Sequence, residues 1–537
     1  MICPTTCPKP LGVKCPSANA GTPRSIGSRL AALGGELSKP YITLGVLLSL
    51  CPLWAADPGR WVPARWDGGP LELTRRAKGQ TLSADAREAL AKWYDPATLG
   101  LIEGTPINCL LVTFSIGTGP EAEHQQHQLV KEYARLARAR GIAVLGIVYP
   151  GADPEAVAAA AREAQLDGLV LDGEFPAGFA GKLGAVLVIP IERRASSPRT
   201  SKAPLLAMEG VRPSARNLSD MGIRAEASAE PWIESNIWLV GSFRLGTEWR
   251  PIWINQQPNP SSHGDYVRCV ADPALAGGRW MVAVDDDLRA RLFRKDADAL
   301  ATWRSIAAYL KFSEDHAEWR RFAPYGNLGV ILDIAGKNPD ISDEYLNLLT
   351  RRHVPYRLIL RSELSAASLS TFQAVLALDL APPTEVERKL LCEFAEKGGL
   401  VVAGPAWGDP PKDDPYAEVP LGKGHVAVYK EDPPNPESVA KDMLDLLDPE
   451  VLGLSVFNVP SAITYATASG GRVLVQLLNY AGRPIDRVTI RFNGSFKTAR
   501  LYTPESPPLD LSIHAAGNGR TELLIPKLTA WGAVLLE

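Results

Sequence analysis

The chain has 537 residues, of which 46% are hydrophobic and 22% charged, and its formal net charge is −3. That length exceeds one ordinary domain and predicts about two to four. Lysines and arginines do not cluster in runs, so the charge pattern carries no footprint for nucleic acid, and no such partner is expected.

In chain order, residues 1–56 read as a leader. Lys9, Lys14, Arg24, Arg29 and Lys39 precede the stretch "YITLGVLLSLCPLWAADPG". Its apolar core of roughly 15 residues ends in small residues, as a secretory signal does. A membrane anchor needs about 20 apolar residues, so cleavage near Ala56 and a secreted or periplasmic protein without a stable membrane span are expected. Four of the seven cysteines (Cys3, Cys7, Cys15, Cys51) fall in this leader. Cys109, Cys269 and Cys392 sit in apolar or helical patterns with no disulfide or zinc spacing.

From residue 57 to 325, short apolar runs alternate with amphipathic helical patterns. The runs are "INCLLVTFS", "IAVLGIVYP", "GLVLDGEF", "AVLVIPIE", "PLLAMEG", "GIRAEAS", "PIWINQQP" and "RWMVAVDDD". Helical segments such as "HQLVKEYARLARARG" end in Gly, as a helix C-terminus favours. Runs apolar on both faces mean parallel strands covered by helices, and eight of them predict a (β/α)₈ barrel. Residues 326–411 repeat the strand–helix alternation on a smaller scale and predict a flavodoxin-like α/β domain. Residues 412–537 are helix-poor, with alternating runs such as "GHVAVYK" and "RVTIRFNG" cut by Gly, Pro and Asn, and predict a β-sandwich.

The order of these blocks, with "FAEKGGLVVAGPAWG" in the second and "VQLLNYAG" and "LLIPKLTAWGAVLLE" in the third, resembles multidomain glycoside hydrolases. It is most similar to the family 42 β-galactosidases and related barrel hydrolases with a glutamine-amidotransferase-like middle domain. The resemblance implies a carbohydrate substrate, oligo- or polysaccharide, and a middle domain able to take part in homo-oligomer contacts. It also implies catalytic glutamates after barrel strands four and seven, the first following an Asn. Counted from "INCLLVTFS", strand four ends "IPIERR" with no Asn before Glu192, and strand seven ends "WINQQPN" with amides. Those two roles therefore do not transfer.

Barrel enzymes place reacting groups at the C-terminal strand ends. Glycosidic hydrolysis needs two carboxyl groups, one protonated and one ionised. The candidates are Glu174, Glu209 and Glu226, with Asp172 in support. Tyr149, Arg212, Trp232, Trp253, Asn255, Gln256 and Asp285 are candidates for binding substrate, the indoles against sugar faces and the amides on hydroxyls. Against this stands a plainer reading, in which strand-end acids cap helices; the triplet Asp285 to Asp287 opens such a helix. "EHQQH" (Glu123 to His127) lacks the zincin pattern, and no nucleophile elbow, Walker loop or dinucleotide fingerprint follows a strand, so no metal or cofactor is expected. Cys392 lies in mid-helix, which argues against amidotransferase chemistry. The expected function is an exported glycoside hydrolase, with a non-catalytic glycan-binding or scaffold protein on a degenerate barrel as the alternative.

Overall fold

The computed structural model describes residues 57–79, 81–193, 203–216, 232–245, 249–257, 263–333, 336, 339–408, 414–459 and 461–537. The leader and the run "GIRAEAS" lie outside them. No helix among the described residues is long and apolar enough to cross a membrane.

Eight strands form one parallel barrel: Pro63–Arg65, Cys109–Ser115, Ala143–Val148, Gly168–Leu171, Val188–Glu192, Leu206–Glu209, Ile252–Asn255 and Arg279–Trp280. The ring closes through the parallel bridge of Ala64 to Val282, where Arg65 N donates to Val282 O at 2.7 Å and Val282 N to Pro63 O at 3.0 Å. Strand two is buried along all seven residues. Such a run forms where helices cover the outside and side chains fill the inside.

The strand count corrects the sequence reading. The barrel begins with the three-residue segment Pro63–Arg65, too short to carry a periodic signal. "INCLLVTFS" is therefore the second strand, "GLVLDGEF" the fourth and "PLLAMEG" the sixth. The sixth connection carries an antiparallel hairpin, Ser214–Arg216 with Trp232–Glu234.

The second sheet has the order 356–360, 328–332, 374–377, 400–403, 424–429, 416–421. Its first five strands are parallel and the last is an antiparallel edge. This is a doubly wound arrangement. "GHVAVYK" belongs here as Gly424–Tyr429 rather than in the sandwich, because its parallel partner Leu400–Ala403 would otherwise present an unpaired apolar edge. The remaining strands make antiparallel sheets of six and four strands that enclose a core including Val475, Val488, Ile490, Leu523 and Val534. The sandwich also packs on the barrel: Leu474, Leu478, Tyr480 and Trp531 share a core with Val240, Val270 and Phe312.

Candidate active site at the barrel mouth

The inside of the barrel is filled by alternate residues of the strands, among them Leu111, Ile147, Val170, Ala207 and Trp253. Two residues further along each strand the same face reaches the C-terminal mouth, because side chains alternate with period two. Those positions are Thr113, Tyr149, Asp172, Glu209 and Asn255. Arg65, at the end of the first strand, joins them and is 5% exposed.

Arg65 organises this layer. Its Nη1 donates to Asp172 Oδ2 at 2.9 Å and to Asn255 Oδ1 at 2.9 Å; Nη2 donates to Tyr149 Oη at 2.8 Å and Nε to Asp67 Oδ2 at 3.3 Å. Asn255 passes the link on, its Nδ2 donating to Glu209 Oε2 at 2.7 Å. Followed atom to atom, this relay keeps the Asp172 and Glu209 carboxylate oxygens within about 11 Å of each other. That bound includes both glycosidase spacings, about 5–5.5 Å for retention and about 6.5–9.5 Å for inversion. Gly173 makes the sharp exit after Asp172, with φ of +131°; a Cβ there would lie 2.5 Å from Pro150 Cγ.

The two carboxyls have different surroundings. Burial pushes Glu209 above its ordinary value; the Asn255 hydrogen bond opposes this and the nearby charge of Asp172 adds to it. Its side chain nonetheless faces the open mouth. Asp172 is the direct ion-pair partner of Arg65. Burial works against the Arg65 charge, but Asp67, Tyr149 and Asp172 outweigh it and keep the guanidinium protonated. Burial likewise raises Tyr149, which therefore stays a neutral phenol.

A second charged layer supports the first. Glu72, fully buried in the helix Gly69–Ala77, accepts from Thr113 Oγ1 at 3.0 Å, from Arg75 at 2.6 and 2.9 Å and from Arg76 at 2.5 Å. Burial opposes its charge, yet Arg75 and Arg76 bring it down to about 2. The Arg75 guanidinium lies 4.5 Å over the Tyr149 ring. Arg65, Asp67 and Glu72 escape a reading of the sequence that starts the barrel at residue 107. The signal was present in "WVPARWDGG", an arginine inside an apolar run that stops at a glycine turn.

The other candidates lie elsewhere. Glu174 is exposed beyond the strand end, outside the Arg65 relay. Glu226 lies outside the described residues. Trp253 is fully buried in the layer below Asn255, 6.3 Å from Trp61. Gln256 faces outward from the barrel and accepts from Asn236 Nδ2 at 2.9 Å. Arg212 is held by Gln257 O at 3.3 Å. Trp232 sits in the hairpin, donating to Glu234 at 2.7 Å with Arg351 over its ring. Asp285 caps its helix through Leu288 N at 2.9 Å and accepts from Tyr266. Among the described residues no group of three His, Cys, Asp or Glu could hold a metal ion.

No protein-family model and no curated sequence matches the chain. Among solved structures it is similar to α-L-fucosidase isoenzyme 2 from Paenibacillus thiaminolyticus, with a TM-score of 0.56 and 10% identity over 89% of this chain and 99% of that one. Other matches are exo-β-1,4-mannosidase Op5Man5 from Opitutaceae bacterium strain TAV5 (TM-score 0.42, 9% identity, 73% and 96% covered) and the β-galactosidase of Bacillus circulans sp. alkalophilus (0.34, 10%, 78% and 68%). The chain has the fold of a multidomain (β/α)₈ glycoside hydrolase with a β-rich C-terminal part.

Proposed function

We propose that the protein is an exported hydrolase of glycosidic bonds, with Glu209 as general acid and Asp172 as the ionised partner. The observation that carries this reading is the convergence of the two carboxyls on one mouth through the Arg65–Asn255 relay. Burial shifts Glu209 toward its protonated form, the form that gives a proton to a leaving oxygen, and Asp172 serves as base or nucleophile. Asn255 and Tyr149 offer hydrogen bonds to hydroxyls of a carbohydrate substrate. The fold shared with a fucosidase agrees with this chemistry, and export rests on the leader alone.

The mature protein, assayed against a panel of aryl glycosides and polysaccharides, is expected to release reducing sugar, and Asp172→Asn and Glu209→Gln to abolish most of that release. Turnover undiminished in both variants would refute the assignment. One observation favours a degenerate, glycan-binding barrel instead: Asp172 and Asn255 both engage Arg65, which fills the floor of the mouth. That reading predicts binding of a polysaccharide without cleavage of any substrate in the panel.

A further inference from the structure

The polar layer at the barrel mouth extends one strand beyond the relay that runs from Arg65 to Glu209. Strands five and six are parallel neighbours, with Ile191 beside Ala207 and Glu192 beside Met208. Continuing that register by one residue sets Arg193 beside Glu209, with about 4.8 Å between the strands. The alternation agrees. Ile189 and Ile191 fill the barrel, so Glu192 turns to its outside and Arg193 to its mouth. Across strands five, six and seven the layer therefore runs Arg193, Glu209, Asn255.

Arg193 and Glu209 are both exposed, so a molecule entering the mouth can reach them. They do not pair with each other. Glu209 Oε2 is taken by Asn255 Nδ2 at 2.7 Å, and among the described residues the Arg193 guanidinium has no hydrogen bond or ion pair. Its charge nonetheless acts on Glu209, behind burial, the Asn255 hydrogen bond and the charges of Asp172 and Arg65. The other guanidinium groups nearby are committed. Arg65 pairs with Asp67 and Asp172, and Arg75 holds Glu72 at 2.6 and 2.9 Å. Arg212, after strand six, turns to Gln257 O at 3.3 Å. Among the described residues of the layer, Arg193 alone keeps an uncommitted positive charge. A guanidinium presents a planar fork of donors that suits two oxygens of one anion, a match that a sugar hydroxyl does not offer.

We propose that Arg193 selects an anionic glycan, holding a carboxylate or sulfate of the sugar unit next to the oxygen that Glu209 protonates. This rests on the mouth being the substrate site and names the class of glycan it takes. Binding is measured by calorimetry on the mature protein carrying Glu209→Gln, so that no probe is consumed. The probes are a galacturonic acid tetramer, its fully methyl-esterified form, a sulfated galactose tetramer and its unsulfated counterpart. One or both anionic tetramers should bind about tenfold tighter than the matching neutral one, the scale of one charge-assisted hydrogen bond. Adding Arg193→Gln should remove that preference, and Arg193→Lys should keep part of it. Arg193 is exposed, so both variants retain the fold, which their melting curves check. Arg500→Gln removes an equal charge on the sandwich, where Arg500 pairs with Asp510 at 2.6 Å, and should leave the preference intact. Tighter binding of the uronate identifies a carboxylate, and of the sulfated tetramer a sulfate. Equal binding of charged and neutral probes, a preference that survives Arg193→Gln, an equal loss in Arg500→Gln, or no binding by any probe would overturn the proposal and leave Arg193 a solvated surface charge. Charge-selective binding in a protein that cleaves no glycan would refute hydrolysis and uphold this assignment; cleavage of neutral glycans without the preference would do the reverse.

Discussion

At the residue scale, the mouth is a balance set by Arg65. One guanidinium carries four partners; Asp67 follows it on its own chain segment, and Tyr149, Asp172 and Asn255 are each placed by the alternation of a different strand. Glu209→Gln is expected to lower kcat by about 10²–10⁴-fold on substrates that need leaving-group protonation, the range of general acid catalysis. Because burial raises Glu209, activity should persist to higher pH than an ordinary carboxyl allows and fall as pH rises through its pKa. The Asn255 hydrogen bond favours the ionised form. Asn255→Ala should therefore move the alkaline limb of kcat/KM to higher pH, and a shift to lower pH would contradict this account. Arg65→Lys keeps one charge but cannot hold Asp172, Asn255 and Tyr149 at once. It is expected to behave like a loss of the site, with kcat falling about as far as in Asp172→Asn.

At the element scale, the hairpin of the sixth connection meets the first helix of the middle sheet, Pro339–Arg351. Asn347 Nδ2 donates to Ile233 O at 3.0 Å, and Arg351 covers Trp232 while binding Glu437 at 2.8 and 2.9 Å. Glu344 on this helix has a buried oxygen without a hydrogen-bond partner. Burial, with Glu234 and Glu437 nearby and Arg351 opposing, raises it to about 7. A carboxyl raised in the folded state holds its proton while the unfolded chain has released it. Stability should accordingly fall as pH climbs from about 4.5, the ordinary value, to about 7. Glu344→Gln removes that loss. Its melting temperature should exceed the parent's by roughly 1–2 °C at pH 8 and match it near pH 4, as differential scanning calorimetry would register.

At the scale of the whole molecule, the sandwich is joined to the barrel by a buried polar link. Asp272 accepts from Ser235 Oγ at 2.6 Å, Asn236 N and Nδ2 at 2.8 Å and, across the interface, Tyr480 Oη at 2.7 Å. Gln476 Nε2 adds a bond to Leu275 O at 2.8 Å. Tyr480→Phe removes one buried hydrogen bond and leaves Asp272 a partner short, which should cost about 1–3 kcal/mol in denaturant unfolding. Asn236 also holds the loop after strand six through Val211, at 2.8 and 2.9 Å. The same variant should therefore loosen the neighbourhood of Glu209, visible as faster amide exchange around residues 209–211.

Much of the architecture was legible in the sequence. Long apolar runs, helices closed by glycine and the change to alternating strands predicted a barrel, a doubly wound sheet and a sandwich, in that order. These signals are local, since burial on both faces and a 3.6-residue period leave their mark within one segment. Asp172, Glu209, Asn255 and Tyr149 were legible for the same reason, as polar residues at strand ends. The first strand was not, because three residues cannot display a period, and its absence shifted every later strand number by one until the sixth. Only the tertiary structure decided that Arg65 joins Asp172, Asn255 and Tyr149, that Trp253 fills the barrel, and that Glu174 stays outside. Those facts depend on contacts between residues up to 190 positions apart, and closure of a ring leaves no trace in the pattern of any one strand.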